Sequence, residues 1–107
     1  MDVHNHLGKG FSEIVYKDAL EYEFKKQNIP FQREREFAVN YKEIILPHKF
    51  HADFVVWDKI ILEVKNVSQL NSNHLEQTLN YLSVSKSKLG ILVNFRERQL
   101  EYKRVLR

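Results

Sequence analysis

The chain has 107 residues, is 43% hydrophobic, carries a formal charge of +3 and contains no cysteine. That length suits one compact domain rather than two, and seven Phe, five Tyr and one Trp supply the apolar volume for a single core, which argues against disorder. The missing cysteines exclude disulfides, thiolate metal sites and cysteine nucleophiles and fit a reducing cytoplasm, while the polar N-terminus is neither a signal peptide nor a membrane span.

Residues 12–27 read as a helix, with Tyr16, Leu20 and Phe24 at helical spacing and Ser12 as the N-cap. Asn28-Ile29-Pro30 stops it, because the residue before a proline avoids helical geometry. Glu13 falls on the same face as the apolar row. An acid there is either an ordinary first-turn residue or one that has a partner, and position alone favours the first. Residues 31–41 read as a half-exposed strand with imperfect alternation, since Arg33 and Arg35 share the parity of Phe31, Phe37, Val39 and Tyr41. Lys42-Glu43 turns into the short stretch 44–46, which Pro47 ends. Strands follow at 50–56 and 60–67, so an antiparallel meander is expected. Residues 71–86 read as a second helix with Leu75, Leu79 and Leu82 inward. The near-continuous apolar run 89–95 suits a central strand buried on both faces, reached by a parallel crossover. Residues 101–106 read as an edge strand.

The chemistry concentrates at Asp53 and at Glu63-Val64-Lys65. Glu63 and Lys65 point to one face of an otherwise aliphatic strand. A Glu–Lys pair on a solvated sheet face explains this equally well, so the motif alone decides little. Register supplies a condition. A two-residue turn puts Asp53 and Glu63 on opposite faces, whereas a three-residue loop, Trp57-Asp58-Lys59, puts them opposite each other. Two adjacent carboxylates suit a hard divalent cation, and a lysine beside them can orient a water and offset phosphate charge. Gln77 and Tyr81 share a helix face with His74, which on its own reads as a polar helix edge. The five histidines show no zinc spacing. Net charge is too small to identify a partner, although Arg96, Arg98, Lys103, Arg104 and Arg107 gather near the C-terminus.

Gly10-x-x-Glu13-x-x-Tyr16 resembles the motif that names the GxxExxY proteins of the PD-(D/E)XK nuclease superfamily. The likeness continues through Asp53, Glu63-Val64-Lys65, Gln77-x-x-x-Tyr81, the 89–95 strand and Lys103-Arg104, and so covers nearly the whole chain. Ala52 stands where the superfamily name implies proline. The resemblance implies an α/β fold, a restriction-endonuclease-like αβββαβ core whose mixed central sheet is flanked by helices. It implies Mg²⁺, with Mn²⁺ as a substitute, held by Asp53, Glu63, the Val64 carbonyl and Glu13. It implies Lys65 as the water-activating residue and Gln77 as its aid, which reverses the preference for ordinary roles of Glu13 and Gln77. Tyr81, Tyr16 and Arg104 are then expected against nucleic acid, DNA first. Family members usually carry a helix before residues 3–8; its shortening here is expected to expose apolar surface or leave room for a second copy of the chain. The expectation is a cytoplasmic Mg²⁺-dependent nuclease with no membrane contact. Its alternative is a non-catalytic nucleic-acid-binding or dimeric interaction module of the same fold.

Overall fold

A computed structural model describes residues 2–7, 11–96 and 100–107, without the Asp2 side chain. Gly10 and Arg98, named above, lie outside the described residues. The elements in order are α1 (Asp2–Leu7), α2 (Glu13–Lys26), β1 (Phe31–Phe37), β2 (Asn40–Tyr41), β3 (Ile44–Ile45), β4 (Phe50–Val56), β5 (Ile60–Lys65), α3 (Ser72–Ser85), β6 (Leu89–Asn94) and β7 (Glu101–Leu106). Five strands form one mixed sheet in the order β1-β4-β5-β6-β7, while β2 and β3 pair as a separate hairpin. β5 and β6 run parallel with α3 between them, and the other neighbours are antiparallel. Among the described residues no helix is long and apolar enough to cross a membrane.

Helix α2 starts at Ser12, whose carbonyl accepts from Val15 N–H at 3.1 Å, although its hydroxyl makes no capping bond. The helix ends because Asn28 takes a left-handed φ of 56°. Asn28 N–H then reaches the Lys25 carbonyl at 3.2 Å and Ile29 N–H that of Phe24 at 2.9 Å, a Schellman closure that satisfies the last carbonyls. At the start of α3 the Asn71 side chain accepts from the N–H groups of Asn73 and His74. His74 Nδ1 accepts from Asn71 N–H at 3.1 Å. His74 is therefore a capping residue.

Two apolar clusters sandwich the sheet. Tyr16 and Leu20 of α2 pack with Phe54, Leu62, Val64, Val93 and Phe95 on one side. Leu82 of α3 packs with Phe50, Ala52, Ile61, Leu92 and Val105 on the other. Helix α3 lies close to β6, since a Cβ on Gly90 would sit 2.9 Å from Thr78 Cγ2 and 3.2 Å from Leu82 Cδ2. Thr78 and Leu82 are thus the buried residues of α3, while Leu79 is 39% exposed rather than part of an inward leucine row.

The sequence places one strand over 31–41, but β1 stops at Phe37 and residues 40–45 turn back as the β2–β3 hairpin. The imperfect alternation has a structural cause. Phe31 packs on the α2 side and Phe37, of the same parity, on the α3 side. Phe54 and Ala52 of β4 divide in the same way. Both strands exchange faces between the pairs Arg33–Phe54 and Arg35–Ala52. There Glu34 adopts φ 56°, a conformation that side chains with a Cβ rarely take. A disturbance of this kind re-aims side chains, and its cross-strand neighbour is Asp53.

Candidate active site

The loop Trp57-Asp58-Lys59 has three residues, and Val56 opposes Ile60, Val55 opposes Ile61 and Phe54 opposes Leu62. Carried one step further, this register brings Asp53 opposite Glu63. The ladder opens at that step. Asp53 Oδ2 takes the Val64 N–H at 2.7 Å, so a side chain occupies the place of a main-chain acceptor. The condition that register set for the two acids is met.

Glu63 is only 4% exposed, and its Oε1 is buried with no hydrogen-bond partner. Burial, then the charge of Asp53 and a hydrogen bond with it, push the Glu63 carboxyl up to about 9; Lys65 works against this. A buried carboxyl with an unsatisfied oxygen beside another carboxylate is an unstable arrangement without a cation or a proton. Lys65 is half-buried on the same strand and within Coulombic reach of Glu63. Val64 lies between them, wholly buried.

The structure adds a residue that the sequence reading missed. Lys17 Nζ donates to Asp53 Oδ1 at 3.1 Å and also to Glu34 Oε1. Burial lowers the pKa of the Lys17 ammonium, but the bonds and charges of Glu34 and Asp53 outweigh that and raise it. Lys17 separates two acids that would otherwise face each other across β1 and β4. Its signal was available, since Glu13 and Lys17 are one helical turn apart on α2.

Glu13 is exposed, and its Oε2 accepts from the Asn66 N–H at 3.1 Å. It thus ties the start of α2 to the residue after Lys65. Asn66 was also missed. Its Nδ2 donates to the Phe11 carbonyl at 2.7 Å, while its Oδ1 is buried and unpartnered. Among the described residues no three carboxylate or imidazole side chains converge as a metal cage, so Glu13 does not join Asp53 and Glu63 in one cluster. A pair of adjacent acids fits Mg²⁺, which takes one or two carboxylates and keeps several waters.

Tyr81 stacks on Phe50 at 3.8 Å, and Phe50 stacks on Phe37 at 5.5 Å, which links α3, β4 and β1. Burial first, and then the charges of Glu63 and Asp53, raise the Tyr81 phenol, which is thus within Coulombic reach of the acids. Gln77 is exposed one turn before Tyr81 on α3.

Two residues expected at nucleic acid stand elsewhere. Tyr16 is fully buried, stacked on Phe95 at 4.3 Å, with its hydroxyl accepting from Phe11 N–H at 3.3 Å. It is a core residue that holds α2 against the end of β6, and it has no surface to offer a strand. Arg104 is exposed on β7 opposite Ile91. Lys103 opposes Leu92, the partner of Glu63, so by alternation Arg104 leaves from the other sheet face.

The model of the PD-(D/E)XK nuclease superfamily matches residues 1–105. No curated protein matches the chain. Among solved structures, SSO0001 superposes with a TM-score of 0.67 at 21% identity, over 86% of this chain and 48% of its own. The alkaline exonuclease LHK-Exo from Laribacter hongkongensis superposes with a TM-score of 0.61 at 12% identity, over 84% of this chain and 53% of its own. The chain spans about half the length of each, and the likeness at these identities is one of fold. With a family match over residues 1–105, the chain belongs to the PD-(D/E)XK nuclease superfamily.

Proposed function

We propose that the chain hydrolyses phosphodiester bonds of nucleic acid, DNA in the first instance, with Mg²⁺ or Mn²⁺ held by Asp53 and Glu63. The observation that carries this reading is the buried Glu63 with its unpartnered Oε1 beside Asp53. When bound, such a cation polarises a phosphate oxygen and acidifies a coordinated water. The residues of the chain do the rest. Lys17 and the Val64 N–H fix the two oxygens of Asp53. Lys65 presents its ammonium beside Glu63, where it orients the attacking water, takes part in removing its proton and offsets phosphate charge. The Val64 carbonyl is a further oxygen offered to the cation. Glu13 holds Asn66 in place and acts on the metal's water shell rather than as a direct ligand. Gln77 and Tyr81 line the approach from α3, with Gln77 placing the water and Tyr81 meeting the backbone. Arg104 contributes only at the periphery.

Within the superfamily the chain is read as a GxxExxY protein. In that reading Tyr16 is the packing residue that allows its neighbours Glu13 and Lys17 to reach the site. A non-catalytic binding module is the weaker reading, because acids beside a phosphate repel it unless a cation intervenes. Incubation with single-stranded and duplex DNA and with RNA, with and without Mg²⁺ or Mn²⁺, tests the proposal. Metal-dependent cleavage is expected, reduced on the order of 10³-fold by Asp53→Ala and 10²-fold by Lys65→Ala. Absence of metal-dependent cleavage on every substrate, or equal cleavage by the variants, contradicts it.

A further inference from the structure

We infer that the pocket at the turn end of the β4–β5 hairpin binds an unpaired nucleotide of a nucleic-acid strand, its base stacked on Trp57 and its phosphates held by Lys59, Lys86 and Lys88. The identity of the strand as substrate rests on the function proposed above; the pocket itself does not. The cavity, about 630 Å³, is lined by Trp57, Lys59, Ser85, Lys86, Ser87 and Lys88 among others.

Its charge is one-sided. The one acid lining it, Asp58, is engaged by Arg35 at 2.6 Å. Among the described residues no acid lies within ion-pair distance of Lys59, Lys86 or Lys88. Three unpaired ammonium groups around one cavity suit a polyanion.

The loop is held firmly and its indole is left exposed. Trp57 N–H donates to the Pro30 carbonyl at 2.9 Å and Lys59 N–H to that of Val56 at 3.1 Å. Yet the Trp57 side chain remains 53% exposed. Three of the chain's described residues with left-handed backbone, Trp57 (φ 53°), Asp58 (φ 55°) and Lys86 (φ 61°), lie here. Asn-Gly is the inexpensive choice for such a turn. A Trp and an Asp kept in that conformation indicate a side chain presented on purpose. An exposed aromatic ring on a hydrogen-bonded loop among lysines has the composition of a platform for stacked bases of a single strand.

The pocket also faces the acids along one helix. Gln77, Tyr81 and Ser85 step along one side of α3 at about 6 Å per turn. Tyr81 senses Glu63 and Asp53, and Ser85 lines the pocket. From Ile60 to Glu63 is about 10 Å of strand. A strand laid along this face therefore joins the cavity to the carboxylates.

Trp57 is the chain's single tryptophan, so its fluorescence reports on this loop, where it borders both the lysine-lined pocket and an apolar groove with Phe24 and Leu100; the lysine variant below tells the two apart. The full chain is titrated in chelator, where no cleavage occurs, with a short oligothymidylate, a duplex of equal length and thymidine monophosphate. Saturable quenching is expected, tightest for the single strand and weaker for the mononucleotide. The variant carrying Lys86→Ala and Lys88→Ala should bind about tenfold more weakly, with a salt slope shallower by about 1.4. The titration needs neither metal nor cleavage, so quenching without metal-dependent cleavage fails the nuclease reading alone, and cleavage without quenching fails the pocket alone. Binding of a fluorescein-labelled strand without quenching overturns the inference. Tightest binding to duplex does so too. An unchanged affinity in the lysine variant overturns it as well. So does an emission shift that follows protein concentration without oligonucleotide, since that marks a second copy over Trp57.

Discussion

The two ends of the β4–β5 hairpin share strands and register but solve opposite electrostatic problems. At the open end the ladder parts after Phe54–Leu62, and Asp53, Glu63, Glu34 and Lys17 lie close together, with Glu63 buried and short of a partner. At the turn end the ladder closes at Val56–Ile60, and three lysines surround an exposed indole. One end has a buried carboxylate oxygen lacking a donor, the other ammonium groups lacking acceptors. Each therefore asks for a ligand of opposite sign, and the cation and the strand proposed above would supply both.

The comparison can be broken from either side. After the loss of Asp53 or Lys65, the largest effect on cleavage is expected from Lys17→Met. It removes the cation between Glu34 and Asp53 and should lower cleavage roughly tenfold, as loss of an orienting partner typically does. The same variant should leave Trp57 quenching intact, because Lys17 lies at the open end. Kinetics and fluorescence on one preparation check both halves; equal losses in the two assays would mean that the ends are not independent. A smaller, shared effect is expected from Gly90→Ala. Its new methyl meets Thr78 Cγ2 at 2.9 Å, which should destabilise the fold by about 1–3 kcal/mol through displacement of α3. Denaturant unfolding measures this, and folded Gly90→Ala should retain both activities within a few-fold.

The residues explain which parts of this were legible. Strands β4 and β7 begin and end where the sequence reading placed them, and β6 ends one residue early. The aliphatic run of β6 leaves little choice, and turn residues bound all three. The three-residue loop and the facing of Asp53 and Glu63 also followed from parity. The face exchange at Glu34 and Asp53 did not, because alternation analysis assumes one pleat from end to end. That assumption merged β1 with β2. The leucine row on α3 misled for a related reason: Gly90 draws the helix so near that small Thr78 takes the inward place. Helix α1 escaped notice because its residues are mostly polar, although Val3 and His4 are buried against the core. Tyr16 shows that a motif residue need not touch a substrate. Asn66 looks ordinary in sequence, and Lys17 carries only its spacing from Glu13; both act through contacts made across the fold.

The central claim is that Asp53 and Glu63 form a cation site, and unfolding measured against pH tests it most directly. Without metal, the folded Glu63 keeps its proton up to about 9 while the unfolded side chain loses it near the ordinary value of 4.5. The native state therefore binds the extra proton between those values. Its stability should fall as pH rises from about 5 to 9, by at most about 1.4 kcal/mol per unit. Glu63→Gln should flatten that slope. Saturating Mn²⁺ should stabilise the wild type increasingly toward high pH, because the cation takes the place of the proton. A metal-free profile with no such decline, or a decline that neither Mn²⁺ nor Glu63→Gln alters, would contradict the account.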